Sequence, residues 1–255
     1  MIRWQFNPDF RGGAAERLFG TLPSTFSANG EPIASDPLSH VVRVEADGIR
    51  YYVKRYIGNG KNATRRWFGL RGLIAPQRVV KEWENLLLFQ QWGIPTATLV
   101  AWGLERDKGY FVRGALVTEE IAHTSDLGSM ANDNDPRLAD RHWMALVLRQ
   151  LARHTRRMHS EGFAHNDLKW RNVLVDASAT PTVYLIDCPS GGFWRGPLLR
   201  YRIIKDLACL DKIGKYRLSR TQRLRFYLDY TGHETLSVAD KRRLRKILKF
   251  FEGRE

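Results

Sequence analysis

"HNDLKWRNVLV", residues 165–175, places a carboxylate at Asp167, an amine at Lys169 and an amide at Asn172 just before the strand-like run Val173, Leu174, Val175. One turn of loop can aim all three polar heads the same way. The segments that follow, "DASATPT" and "VYLID", predict a turn and a second short strand, so the chain from 173 to 187 reads as a hairpin. In an antiparallel pair the residue before the first strand and the residue after the second lie at the same open end. Asn172 and Asp187 are therefore expected to be neighbours, with Asp167 a few residues away.

An amide oxygen beside carboxylates suits a hard cation such as Mg2+, which takes few protein ligands and completes its shell with substrate phosphates. That points to a nucleotide. Phosphoryl transfer also needs a residue to orient the attacking hydroxyl and accept its proton, and cations to neutralise the phosphates. Asp167 fits the first role, and Lys169 is a candidate for the second.

A further cation comes from upstream. "HVVRVEADGIRYYVKRY", residues 40–56, reads as two strands around the turn Ala46, Asp47, Gly48, with Lys54 on the second strand. Residues 77–91 predict a helix with Val79, Val80, Trp83, Leu86 and Leu87 on its apolar side, ended by Gly93 and Pro95. A Lys54 buried alone would be costly, so a carboxylate of that helix, Glu82 or Glu84, should pair with it. Helical periodicity does not separate the two. "TATLVAWGLE" and "GYFVRGALVTEEI" add two strands, giving a small, mainly antiparallel sheet with one long helix.

The second half changes character near "SDLGSMANDNDP". Asp135 and Pro136 predict the start of a helix running to His159, with Met144, Val147, Leu148, Leu151 and Met158 at helical spacing. "RYRIIKDLACLDKI", "SRTQRLRFYLDY" and "SVADKRRLRKILKF" predict three more helices. Residues 1–121 and 122–255 are thus expected as two lobes.

With 255 residues, 43% hydrophobic and 27% charged, the chain can build a full core. It has no run of about 18 apolar residues, and its start lacks the apolar middle of a signal peptide, so a cytoplasmic location is expected. Cys188 and Cys209 have no C-x-x-C spacing, which argues against a disulfide framework or structural zinc. The net charge of +14 is lopsided: residues 1–140 carry 17 Lys+Arg against 16 Asp+Glu, and residues 141–255 carry 24 against 11. Such a basic half attracts polyanions, whether nucleic acid, an anionic membrane or a phosphorylated glycolipid; solvated helix faces are the plain alternative.

"HNDLKWRNVLV" resembles the H-R-D-L-K-x-x-N catalytic loop of protein-kinase-like folds, "YLIDCPSG" the strand ending in the metal-binding Asp of D-F-G, and "YYVKRY" the strand bearing the ATP-anchoring lysine. Within that superfamily, the compact length, "KEWENLLLFQQWGIPT" and the basic C-terminal half are similar to the bacterial lipopolysaccharide core kinases, the Kdo/heptose kinase family. The matching motifs span residues 40–190. The resemblance implies an α+β, two-lobed fold with a small antiparallel-sheet N-lobe carrying one helix, and a larger, mainly helical C-lobe. It implies Lys54 on the α- and β-phosphates of ATP and paired with Glu82, which stands four residues before Leu86 as the family pattern requires. It also implies Asp167 as catalytic base, Lys169 on the transferred phosphate, Asn172 and Asp187 as Mg2+ ligands, and a hinge near Glu119 and Ile121 for adenine. The expected acceptor is a heptose or Kdo hydroxyl of an anionic glycolipid, reached by peripheral contact with the cytoplasmic leaflet of the inner membrane; nucleic acid is not the expected partner.

Three departures qualify the resemblance. No G-x-G-x-x-G precedes Val41; only Gly30 is available, so the phosphate-covering loop must differ. Asn166 replaces the Arg that answers a phosphorylated activation loop. Cys188 and Pro189 follow the metal Asp where Phe and Gly would stand, and no A-P-E motif is visible. Loss of these peptide-substrate features favours a small-molecule or glycan acceptor. The alternatives are a kinase of another small molecule or of a protein, and a catalytically silent kinase-like module. His165 and Cys188 read as structural residues, and Trp67 as a surface anchor or a contact to membrane or glycan.

Overall fold

The structure is a computed structural model that describes residues 1–36, 39–58 and 77–253. Trp67, and most of the loop "IGNGKN", lie outside the described residues. The chain divides into two compact units: residues 1–86 with 97–122, and residues 87–96 with 123–255.

The first unit is built on a six-stranded antiparallel sheet of β1 (Ile2–Phe6), β2 (Glu31–Asp36), β3 (Ser39–Ala46), β4 (Ile49–Ile57), β5 (Leu99–Asp107) and β6 (Tyr110–Glu119), in the order β1-β5-β6-β4-β3-β2. The β3–β4 hairpin turns at Asp47 and Gly48, both at positive φ (52° and 74°), which a two-residue primed turn requires. Strand alternation then sets the two faces of β4. Tyr51 and Val53 point into a core with Ala15, Phe19, Val100, Ala101 and Val117. Lys54 and Tyr56 point the other way. The core on the first face is closed by two short helices, α1 (Ala14–Phe19) and α2 (Leu22–Ser27), in addition to the one helix expected for this lobe. The expected helix is α3 (Arg78–Gln91).

The second unit is mainly helical. Its long helix α5 (Arg141–Ser160) buries Trp143, Met144, Val147, Leu148, Leu151, Ala152 and Met158. It starts later than the sequence predicts: Asp135 caps only a single 3-10 turn, Pro136–Leu138, whereas Asp140 accepts the N–H groups of both His142 and Trp143 and is the true helix cap. Before it come β7 (Thr124–Asp126) and α4 (Leu127–Asn132); after it come β8 (Phe163–Ala164), β9 (Val173–Asp176), β10 (Val183–Leu185) and β11 (Gly192–Phe193). β9 and β10 pair as the expected hairpin, with Val173 opposite Leu185, and β7 adds a third strand on the far side of β9. Three further helices follow, α6 (Gly196–Arg217), α7 (Arg220–Thr231) and α8 (Val238–Leu248), as the sequence predicts. Their apolar faces meet α5 around Ala152, Leu207, Ala208, Tyr227, Tyr230 and Ile247.

Candidate active site

In the first unit, β4 and α3 bring two of the candidate residues together. The Lys54 ammonium lies 2.9 Å from Glu82 Oε1, and the Tyr56 hydroxyl hydrogen-bonds the other carboxylate oxygen. Tyr56 can do this because it lies two residues beyond Lys54 on the same face of the strand. Glu82 is 4% exposed, while Glu84 faces solvent, so packing resolves the choice that periodicity leaves open. A buried carboxylate with both oxygens engaged holds the lysine head in one place. Glu119 ends β6 opposite Tyr51, with its N–H donated to the Thr98 carbonyl, and Ile121 follows two residues on.

In the second unit, the loop between β8 and β9 gathers Asp167, Lys169 and Asn172. Lys169 Nζ lies 2.5 Å from Asp167 Oδ1, and Arg171 reaches Oδ2 at 3.4 Å. Burial alone would raise the Asp167 pKa. The Lys169 hydrogen bond and charge, with the Arg171 charge, outweigh it and hold the carboxyl below its ordinary range. Asp167 is therefore an ionised carboxylate with its side chain about a quarter exposed.

Asn172 closes the loop. Its Nδ2 donates to the Asp167 carbonyl at 2.8 Å, which fixes the amide orientation and leaves Oδ1 available as an acceptor. Its own carbonyl accepts the N–H of Ile186 at 3.1 Å, extending the β9–β10 register by one pair and setting Asp187 one residue past it, at the same open end. Asp187 sits at φ 54° and Asn166 at φ 64°, left-handed conformations that Asn and Asp tolerate best among residues with a Cβ. An oriented amide oxygen and a carboxylate at one hairpin end form a donor set that fits a hard divalent cation shared with phosphate oxygens. Among the described residues no cluster of three His, Cys, Asp or Glu offers a different metal site.

The loop is anchored from below by residues that the sequence reading misses. Asp206 on α6, fully buried, accepts the backbone N–H of His165 at 2.7 Å and meets His159 Nε2 at 3.3 Å; His159 Nδ1 in turn meets the Tyr230 hydroxyl at 2.9 Å. Lys205 donates to the Asn166 carbonyl at 2.6 Å, and Asn166 Nδ2 to the Ser190 carbonyl at 2.8 Å. The available signal was an acid within the apolar helix "IIKDLACL". His165 itself is completely buried, stacked on Phe89 with ring centroids 6.0 Å apart, and burial lowers its pKa against the pull of Asp206, Asp187 and Asp167. Cys188, also buried, lies 3.9 Å from the His165 carbonyl.

A search of curated proteins gave no match. Among solved structures, one described as "WaaP in complex with acyl carrier protein" superposes with a TM-score of 0.68 at 23% identity, covering 98% of this chain and 94% of that one, which shows a shared protein-kinase-like fold. The lipopolysaccharide kinase (Kdo/WaaP) family profile matches residues 35–226, a span that contains Lys54, Glu82, Asp167, Asn172 and Asp187. With most of its length matched, the chain belongs to the lipopolysaccharide kinase (Kdo/WaaP) family, phosphotransferases that act on sugar hydroxyls.

Proposed function

We propose that this protein transfers the γ-phosphate of ATP, taken as its Mg2+ complex, to a hydroxyl of heptose or Kdo in the inner core of lipopolysaccharide. The observation that carries the reading is the ionised, partly exposed Asp167 bonded through its carbonyl to Asn172, which stands at the hairpin end that also bears Asp187. Asp167 orients the acceptor hydroxyl and takes its proton. Lys169, already against Asp167, meets the transferred phosphate. Asn172 and Asp187 would hold Mg2+, which supplies charge neutralisation on the phosphate oxygens. Lys54, held by Glu82, contacts the α- and β-phosphates, and the backbone around Glu119 and Ile121 receives adenine.

A sugar acceptor is favoured because Asn166, Cys188 and Pro189 replace the residues that tie the loop to a peptide substrate and to phospho-regulation. The acceptor is then an anionic glycolipid, met at the cytoplasmic leaflet by a cytoplasmic, peripherally bound enzyme. No described helix is long and apolar enough to cross a membrane.

Incubation with radiolabelled ATP, Mg2+ and dephosphorylated core oligosaccharide tests this directly. Label on heptose or Kdo is the expected result. Label appearing only on an aminoglycoside or protein acceptor overturns the sugar assignment, and ATP binding without transfer to any acceptor overturns the catalytic one.

A further inference from the structure

We propose that β11 and the first turns of α6 are the surface by which this protein docks on anionic phospholipid. The inference rests on the reading above in one respect, that the acceptor sugar is carried by a membrane glycolipid. Between Asp187 and Asp206 the chain has no acidic residue, while it carries Arg195, Arg200, Arg202 and Lys205. In the same stretch three large apolar side chains face water: Phe193 is 60% exposed, Leu198 58% and Tyr201 45%. A single exposed leucine needs no explanation, but three such side chains within nine residues, with cations between them, do.

The exposed tips stand on a firm base. The Phe193 ring packs edge-on against Phe163 at 5.5 Å and Trp92 at 6.1 Å. The Arg202 guanidinium lies over the Trp194 ring at 4.6 Å, and Tyr201 lies 5.6 Å from Phe250, just past the end of α8. That last contact joins the stretch to α8, where Lys241, Arg242, Arg245 and Lys246 are exposed, with Lys249 exposed at its cap. Held rings lose little freedom on insertion, and arginines beside them can meet lipid phosphates while the apolar tips enter the headgroup boundary.

Positive charge without acidic residues, beside exposed apolar tips, points to an anionic bilayer as the occupant. Residues 191–205 contain no Ser, Thr, Asn, Gln, Asp or Glu. An anionic bilayer matches both features of the stretch, with phosphates for its arginines and a headgroup boundary for its apolar tips.

Vesicle co-sedimentation of the full chain tests the surface without reference to catalysis. The native protein should sediment with phosphatidylcholine vesicles containing phosphatidylglycerol, less with phosphatidylcholine alone, and less again at high salt. The double variants R195E/R200E and L198S/Y201S should each lower the bound fraction about tenfold. Their phosphorylation of soluble core oligosaccharide should be unchanged, and their phosphorylation of bilayer-embedded glycolipid should fall. Retained turnover on the soluble acceptor reports that the fold is intact; if the chain phosphorylates no sugar, unfolding curves that match the native protein serve instead, and the vesicle result still decides. R141E/R220E, two exposed positions outside β11, α6 and α8 with the same change in net charge, is the control. If it weakens binding as much as R195E/R200E, the attraction belongs to overall charge and the proposed surface is overturned. It is also overturned if the native protein shows no preference for anionic vesicles, or if L198S/Y201S binds like the native chain.

Discussion

The carboxylate of Asp206, with no exposure to solvent, accepts the backbone N–H of His165 at 2.7 Å, two residues before Asp167. It thereby ties the loop that carries the candidate base to a helix 41 positions downstream. Asp206→Ala removes the acceptor and leaves a buried N–H unsatisfied beside His159, a loss of roughly 2–4 kcal/mol. Asp206→Asn keeps an acceptor oxygen and should lose less than half as much. Urea unfolding of the two variants checks the ranking; equal losses would mean that the charge, not the hydrogen bond to the loop, is what matters.

With Asp167 proposed to act on the acceptor hydroxyl, its removal should affect the chemical step and spare nucleotide binding. Asp167→Asn is expected to lower kcat by about 10²–10⁴-fold with the ATP Kd changed less than about threefold. Asp187→Ala should do the reverse, weakening Mg-ATP affinity by about tenfold or more, because it removes a proposed cation ligand. Titration calorimetry beside steady-state kinetics separates the two, and an Asp187→Ala protein that binds Mg-ATP normally would contradict its assignment.

The contrast between these residues and Asp206 shows what a sequence can disclose. Asn172 and Asp187 are legible because they flank short strands whose pairing follows from a turn signal, and the observed register, Val173 opposite Leu185, places them at one open end as expected, with Asp167 in the loop just before. The β3–β4 hairpin is legible for the same reason, through Asp47 and Gly48. Asp206 is not, because its partners are a backbone N–H and a histidine far away in sequence. The six-residue helices α1 and α2 are too short to complete a second turn of apolar spacing, and the two-residue strands β8 and β11 carry no alternation. Asp140 outcompeted Asp135 as the helix cap through two N–H contacts that only coordinates reveal.

Lys54 and Glu82 make a pair that distinguishes a positioning role from simple charge. Lys54→Met should lower kcat/KM for ATP by about 10²-fold, as loss of a phosphate cation does. Glu82→Gln should cause a smaller loss, about tenfold, since Tyr56 still holds the side chain. Glu84→Gln, on the exposed side of α3, should be silent within twofold. Kinetics with ATP varied and acceptor saturating gives the comparison. A Glu84 variant as damaged as the Glu82 variant would break the link between the observed ion pair and ATP handling.

Stability should fall in acid in two separate limbs. His154, partly buried on α5, has its pKa lowered from 6.5 to about 4, by burial and then by the adjacent Arg153 charge. The unfolded chain takes this proton near pH 6.5 and the folded chain refuses it until about 4. His154 therefore contributes fully above pH 6.5 and progressively less as pH drops toward 4, a loss of at most roughly 3 kcal/mol. His165, whose pKa is also lowered by burial, pushes in the same direction as pH falls below the ordinary histidine value. Asp167 has the opposite charge type and a later window. Its folded pKa lies below the ordinary carboxylate value, so its contribution is present above that value and disappears as pH falls through the folded one. Chemical denaturation at pH 7.5, 6.0, 5.0 and 4.0 should show the first limb, and His154→Gln should make it shallower, His165 keeping its share, while leaving the decline below pH 4 in place. If the variant loses stability between pH 7.5 and 5.0 as steeply as the native protein, His154 is not the group that refuses the proton.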